Sequence, residues 1–230
     1  MKLEHIAFLG RTFKEYLDMF GLDEDELKGE NVLDCPAGPS SFTAEAHLKG
    51  LLKKVTACDP CYSLTTDALE MKAREDLTHV FDALDAASDN YVWNYYENKE
   101  QVISRRKEAT EMFLGDFEDG LADGRYVEAA LSELPFAKGE FTMSLSGHFL
   151  FLYEQWLSID IHLQYIRELL RVSSREVRIY PLVSLEAKPY DYLGYLITTL
   201  EDEGIRAEID AVELEFIKGG GKMLKLTHTL

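Results

Sequence analysis

Two aspartates lie at the ends of short apolar runs, where a parallel sheet would bring them to one edge. Asp34 lies near the end of the run 31–35, NVLDC, which turns at once into the small and conformationally restricted residues 36–41, PAGPSS. Asp59 follows a second run, 54–58, KVTAC. In an open parallel sheet, ligands bind in the crevice at the carboxyl ends of the strands. The sequence therefore predicts a ligand site between the loop and the carboxylate of Asp59.

The residue types at this edge suit hydrogen bonding to a nucleoside. A carboxylate can accept both hydroxyl protons of an adenosine ribose, and Asp59 is placed for that role. Ala37 and Gly38 leave the loop backbone open to close approach by a ligand. Arg11 precedes a predicted helix and offers a planar guanidinium that matches a carboxylate group. The alternative for Arg11 is an ordinary surface arginine.

Two later segments extend the pattern. Residues 127–136, VEAALSELPF, join a predicted strand to a Leu-Pro-Phe sequence, and residues 141–148, FTMSLSGH, form a strand that ends beside His148. With the loop and Asp59, these segments resemble the class I, Rossmann-like, S-adenosylmethionine-dependent methyltransferases in order and spacing. The family loop has three glycines at alternate positions, and here Pro36 and Ser40 stand at the first and third.

The resemblance implies a fold, a cofactor and a set of binding residues. The fold is α/β with three layers, and its mostly parallel seven-stranded sheet ends in an antiparallel carboxyl-terminal hairpin. The cofactor is S-adenosyl-L-methionine. By the family alignment Asp59 binds the ribose, and Ala130 and Leu131 flank the adenine. The cofactor-binding residues predicted in this way, with Arg11 added for the cofactor carboxylate, are Asp34, Cys35, Pro36, Ala37, Gly38, Asp59, Pro60, Ala130, Leu131, Ser146 and Arg11.

His148 is the candidate catalytic residue, because the predicted strand end aims it at the crevice. Methyl transfer needs an in-line approach at about 3 Å, and a base only where the nucleophile carries a proton. Histidine titrates near neutrality and can be that base, or it can orient the substrate or support the structure. Tyr153, Glu154 and Trp156 follow it and either contact the substrate or lie in the core. We predict methyl transfer to a small molecule.

Three alternatives stay open at the level of sequence. Strand-loop-helix units with an acid after the second strand also bind NAD, although Pro36 and Pro39 argue against that fingerprint. A non-catalytic cofactor-binding or interaction module is compatible with the departures at Pro36, Ala130 and Thr142. An RNA or protein methyltransferase would need a basic face, yet 24 Lys and Arg against 42 Asp and Glu give a formal charge of −18, which argues against a nucleic-acid partner.

Helices precede the sheet and interrupt it. Residues 1–30 carry two predicted helices, 11–20 and 23–27, and residues 62–125 form a helical insertion without a convincing strand. The insertion contains Tyr91, Trp93, Tyr95 and Tyr96 and then the basic triplet 105–107. It is either a substrate lid or a set of helices anchored to the body by these aromatic residues.

One domain, 1–230, accommodates all predicted elements, since no Pro/Gly/Ser-rich linker divides the chain. The loop after the first strand leads into a helix at 42–52. After the insertion, strands and helices alternate again and end in a strand-glycine-strand hairpin. These later elements are the strands 126–129, 141–146, 176–182, 207–217 and 223–227, and the helices 161–170 and 190–203.

Composition restricts the class of protein. The chain is 46% hydrophobic and 29% charged, which predicts a soluble globular protein, and no apolar run approaches the roughly 20 residues of a bilayer crossing. The absence of a secretory pattern predicts a cytoplasmic location. Cys35, Cys58 and Cys61 are expected to be reduced. The spacing of Cys58 and Cys61 resembles half of a zinc knuckle, but without an identifiable fourth ligand we predict buried thiols and no metal.

Overall fold

Seven strands form one sheet with the order β3-β2-β1-β4-β5-β7-β6 in the computed structural model, which describes residues 5–85 and 87–229. The first five strands are parallel, in the order of a doubly wound sheet, and β7 runs antiparallel to both β5 and β6. The predicted Rossmann-like methyltransferase fold is therefore confirmed. The strands are β1 (Asn31–Asp34), β2 (Lys54–Cys58), β3 (Tyr126–Val127), β4 (Phe141–Gly147), β5 (Ser173–Tyr180), β6 (Ile205–Ala211) and β7 (Lys222–His228).

Local signals set the helix boundaries. Thr12 and Asp23 each make a capping box at a helix start, with Glu15 and Glu26 respectively. Gly50, at φ 61°, ends the third helix three residues before its predicted limit, because the chain turns left-handed there. The helices are α1 (Phe13–Phe20), α2 (Glu24–Leu27), α3 (Phe42–Lys49), α4 (Thr66–Asp85), α5 (Lys99–Ala122), α6 (Ile159–Val172) and α7 (Leu193–Asp202).

The two faces of the sheet have separate hydrophobic cores. Neighbouring residues of a strand point to opposite faces, and accordingly Val32 packs with Phe20 of α1 and Phe42 of α3, whereas Leu33 belongs to the cluster of Ile166 in α6. Helices thus cover both faces, which gives the three predicted layers.

The insertion consists of two long helices, α4 and α5, which pack against each other. Residues 99–122 form one uninterrupted helix. Its residues Phe113 and Phe117 stack with Tyr62 and Tyr126 and so fix α5 to the edge of the sheet at β3. Within residues 5–85 and 87–229, no helix is long and apolar enough to cross a membrane.

Candidate active site

A cavity of about 370 Å³ lies at the carboxyl ends of β1, β2 and β4. The loop Pro36–Gly38 after β1, the segment Asp59–Cys61 after β2 and the segment Gly147–Phe149 after β4 all line it. Ala130 and Leu131, which follow β3, line it as well. The structure therefore brings together four segments that the sequence predicts to meet, at the edge where a parallel sheet binds its ligands.

Asp59 fixes the loop and retains capacity for a ligand. Its Oδ2 accepts the N–H of Gly38 at 3.0 Å, and its Oδ1 accepts the N–H of Cys61 at 2.8 Å. Gly38 has a φ of 56°, and its carbonyl accepts the hydroxyl of Tyr62 at 2.7 Å. Burial raises the pKa of Asp59, whereas the two N–H donors lower it. A carboxylate accepts about four hydrogen bonds, so about two positions remain for ligand hydroxyls.

Arg11 is the cation of the cavity that lacks a carboxylate partner among the described residues. Its Nη1 donates to the carbonyls of Leu9 and Gly10 at 3.0 and 3.1 Å, and its side chain lines the cavity. Its own carbonyl accepts the N–H of Ser41 at 3.0 Å, which holds the arginine against the loop. Burial lowers the pKa of Arg11. The alternative of an ordinary surface arginine is wrong.

His148 stands at the end of β4 in a conformation that few residues adopt. Its φ is 54°, and its backbone N–H donates to the carbonyl of Tyr180 at 2.6 Å. The imidazole lines the cavity and meets the ring of Tyr180 edge-on at 5.1 Å between centroids. Burial, together with the nearby guanidinium groups of Arg11 and Arg106, holds the pKa of His148 well below its usual value. The imidazole is therefore neutral at pH 7.

The rest of the cavity is apolar and comes from parts of the chain far apart in sequence. Tyr91 and Tyr96 belong to the insertion, and Leu214, Phe216 and Ile217 belong to the connection between β6 and β7. The prediction of a strand to residue 217 is wrong, because the ladder of β6 ends at residue 211 and the connection folds over the cavity. The apolar side chains that suggested a strand instead form this wall.

Comparison with known proteins decides the family. No family model matches the chain. Uncharacterized protein MJ0045 of Methanocaldococcus jannaschii is 33% identical over 225 residues, and the alignment covers 97% of each chain. The chain belongs to the MJ0045 family. Its members are thus related over the whole cavity-forming region, including the insertion.

Solved structures with lower similarity include methyltransferases and a methylase. A magnesium protoporphyrin IX methyltransferase from Synechocystis PCC 6803 is 12% identical, with a TM-score of 0.48 over 94% of this chain and 78% of that one. An rRNA methylase from Streptococcus thermophilus is 12% identical, with a TM-score of 0.44 over 100% of both chains. Because these values are low, the strand order and register, and not these likenesses, define the fold of this MJ0045 family member.

Three predicted cofactor residues of this family member lie outside the cavity. Cys35, directly after β1, and Ser146 of β4 are buried, and the hydroxyl of Ser146 has no partner among the described residues. Asp34 is also fully buried, and its Oδ2 accepts the hydroxyls of Tyr16 at 2.8 Å and Ser40 at 3.2 Å. Tyr16 lines the cavity, so Asp34 contributes to the cavity indirectly, by holding Tyr16 and the loop in place.

Substituting Asp34 by asparagine tests the electrostatic cost of this carboxyl. Burial raises the pKa of Asp34 to about 8, with Tyr16 and Ser40 lowering it in part. The pKa of this carboxyl is higher in the folded state than in the unfolded state. Its contribution to stability is therefore fully present below about pH 4 and is lost as the pH rises through about 8. Between these values the free energy of unfolding should fall by about 1.4 kcal/mol per pH unit through this group.

Urea unfolding of wild type and Asp34→Asn from pH 5 to pH 8 measures this term. We expect wild type to lose stability relative to the variant as the pH rises, because residue 34 of wild type ionises in the unfolded chain but stays protonated in the fold. Stability curves that run parallel across this range would show that Asp34 is already ionised in the fold.

Sequence reasoning missed a buried ion pair beside the cavity. Arg106 of α5 is 3% exposed; it pairs with Glu15 of α1, and it also donates to the carbonyl of Gly10 at 2.6 Å and to the hydroxyl of Tyr96 at 2.9 Å. The triplet 105–107 was interpreted as one basic cluster. A usable signal existed, since Arg106 shares the helical spacing of the buried face of α5, which comprises Val102, Arg106, Ala109, Phe113 and Phe117.

Exposure and clustering describe the remaining candidate residues. Trp156 is 40% exposed, so its assignment to the core is wrong, whereas Tyr153 is buried and lines the cavity. In the part of the chain that the structure describes, no three His, Cys, Asp or Glu side chains are grouped so that they could hold a metal. Cys35 and Cys58 are buried thiols in β1–β2, as predicted.

Proposed function

We propose that this protein transfers the methyl group of S-adenosylmethionine to a small-molecule acceptor. The observation that carries the proposal is the single cavity that joins Asp59 and the loop, at one side, to His148 and the apolar wall, at the other. One side offers hydrogen bonds for a nucleoside, and the other offers an enclosed space for a second molecule. A methyl transferase needs both in contact, because the reaction is an in-line displacement.

The cofactor-binding residues fit this group on four points. Asp59 keeps free acceptor positions for the ribose hydroxyls, and Gly38 leaves the loop backbone accessible. Ala130 and Leu131 line the cavity beyond Asp59, where they suit an adenine held by packing. Arg11 offers an uncompensated guanidinium to the carboxylate. When bound, the cofactor supplies an activated methyl on a sulfonium.

The chain's own residues then position the acceptor and keep out water. Tyr91 and Tyr96 of the insertion and Phe216 of the β6–β7 connection close the cavity opposite the loop, and all three rings contact one another through Phe216. His148 lines the same cavity as this wall and the predicted cofactor residues. Holding two reactants in such an enclosure supplies the larger part of the rate enhancement for a displacement of this kind.

Calorimetric titration of S-adenosylmethionine tests the proposal, with NAD as the competing cofactor. We expect binding of the first and not of the second. Asp59→Asn should weaken binding at least about tenfold, since it replaces charge-assisted hydrogen bonds to ribose by neutral ones. Asp67→Asn, which removes an exposed carboxylate at the start of α4, is the matched control and should bind like wild type.

Either of two results would overturn the proposal: no binding of S-adenosylmethionine, or binding of NAD in its place. Binding without transfer to any acceptor would instead favour the non-catalytic module. An RNA or protein acceptor has weaker support, because Arg106 is buried and Arg105 pairs with Glu108 at 3.2 Å, so the triplet 105–107 is not a free basic patch.

A further inference from the structure

The acceptor side of the cavity lacks a carboxylate base. Asp59 is the one acidic side chain among the described residues that line the cavity, and it lies on the cofactor side, engaged with the loop. Lys72 pairs with Asp76 at 3.1 Å. Burial raises the pKa of Tyr96 and Tyr180 far above neutrality, so neither phenol yields a base at pH 7. His148 is therefore the side chain of the cavity best suited to remove a proton from an acceptor.

The surroundings of His148 place its proton on the wrong nitrogen for that task. Its Nδ1 is buried and has no hydrogen-bond partner among the described residues. In proteins a buried N–H without an acceptor is rarer than a buried acceptor without a donor. In neutral imidazole one nitrogen carries the proton, so Nδ1 is bare and Nε2 carries it. Nε2 is not buried in this way and makes no hydrogen bond within the described residues, so it presents a donor to the cavity.

Unlike Asp59 on the cofactor side, the unused polar side-chain groups of Arg106 and Tyr153 are donors too. Arg106 has a buried Nε without a partner among the described residues. The hydroxyl of Tyr153 accepts the N–H of Ala7 at 3.1 Å, which leaves its own hydrogen to donate. A ligand matched to these groups presents acceptors rather than donors. An oxyanion meets that requirement best, because hydrogen bonds to a charged acceptor are about twice as strong.

We propose, on the basis of the methyltransferase function above, that the methyl acceptor is the carboxylate of an apolar molecule and that His148 donates its Nε2–H to it. Without a base, the acceptor atom must arrive without a proton to lose, and the surrounding donors favour an anion. A carboxylic acid is ionised at neutral pH, whereas a phenol or an alcohol is not. The oxygen lone pair forms the new C–O bond while the C–S bond breaks and its electrons remain on sulfur. The product is a methyl ester, and no proton moves.

Charge also favours this reaction in an apolar enclosure. A carboxylate and a sulfonium carry opposite charges before transfer, and the ester and thioether carry none. A poorly solvating cavity penalises separated ions more than neutral products, so the ring-lined wall of Tyr91, Phe216 and Tyr180 assists the transfer. His148 is then a catalytic residue by donation, which is the substrate-orienting alternative among the roles that the sequence allows.

The tautomer of His148 can be measured without cofactor or substrate. In ¹⁵N-labelled wild type at pH 7, long-range proton–nitrogen correlation distinguishes imidazoles protonated at Nε2 from those protonated at Nδ1, and the spectrum of His148→Gln assigns the signal. We expect the Nε2–H form. A signal of the Nδ1–H form would leave Nε2 free to act as a base and would overturn the proposal.

A binding experiment tests the acceptor class with a readout other than turnover. The protein is first saturated with S-adenosylhomocysteine and then titrated with 2-naphthoate or its neutral isostere 2-naphthamide. We expect the carboxylate to bind at least about tenfold more tightly, and His148→Leu to lose about tenfold of that affinity. His148→Gln retains an N–H donor without a base and should keep most of it. Both variants place a non-glycine side chain at φ 54°, so backbone strain does not distinguish them.

The outcomes separate this inference from the function on which it rests. If S-adenosylhomocysteine does not bind, the proposed methyltransferase function fails before the probe is added. If it binds, but the carboxylate and the amide then bind equally, or neither binds, or His148→Leu keeps the full affinity, the carboxylate acceptor is excluded while methyl transfer is not.

Discussion

Substitution of Gly10 by alanine should strongly weaken the affinity for S-adenosylmethionine. A Cβ at residue 10 would lie 1.9 Å from the carbonyl oxygen of Pro39 and 2.5 Å from its carbon, far inside van der Waals contact with the backbone of the loop. Gly10 is not in the left-handed region, so space alone requires glycine there. Overpacking costs about 1–3 kcal/mol. If the loop is displaced to relieve the clash and the same free energy is lost from binding, affinity falls roughly 5- to 150-fold.

Gly115→Ala is the matched control. Gly115 lies inside α5, and a Cβ there meets nothing within 4 Å. Alanine should therefore stabilise the helix by up to about 1 kcal/mol and leave binding unchanged. Calorimetry with S-adenosylmethionine and thermal unfolding of both variants are the measurements. Wild-type affinity in Gly10→Ala would mean that residue 10 does not hold the loop.

Substitution of Arg106 by methionine should produce the largest loss of stability. It removes the cation that compensates Glu15, a carboxylate that is 1% exposed and that also caps α1 through Thr12. Breaking a buried pair from one side costs about 3–5 kcal/mol because the other charge stays buried. For a chain of this size the melting temperature should fall by roughly 6–20 °C.

A double-mutant cycle identifies the cause. Glu15→Gln combined with Arg106→Met removes both charges, so the double variant should be more stable than Arg106→Met alone. Urea unfolding of the four proteins gives the coupling energy. If the effects of the two substitutions simply add, the loss in Arg106→Met reflects packing of the side chain rather than an uncompensated charge.

The fold could be predicted because its signals are local. Strand runs that end in Asp34 and Asp59, the capping residue Asp23 and the glycine that ends α3 each act within a few residues. Errors arose where tertiary contacts decide. The strand β3 has only two residues because it pairs with β2 at Ala57 and Cys58 alone, after which the chain leaves the sheet to line the cavity.

The site could be predicted in part, for the same reason. Asp59, Gly38 and His148 follow strands, and the ends of parallel strands meet. Arg106 reaches Gly10 and Glu15 across 96 and 91 residues, and no local pattern encodes such pairings. The role of His148 was also undecidable from sequence, since the partner of a ring nitrogen depends on what surrounds it in the fold.

The segment 8–12 is hydrogen-bonded to three other parts of the fold. The N–H of Phe8 donates to Asp76 of α4 at 2.7 Å, the carbonyl of Gly10 accepts from Arg106 of α5, and the carbonyl of Arg11 accepts from the loop at Ser41. The insertion, through Asp76 and Arg106, and the loop, through Ser41, are therefore hydrogen-bonded to the same short segment 8–12. The insertion and the loop are thus coupled through one short segment, and by linkage we expect a ligand that stabilises the position of either to stabilise both.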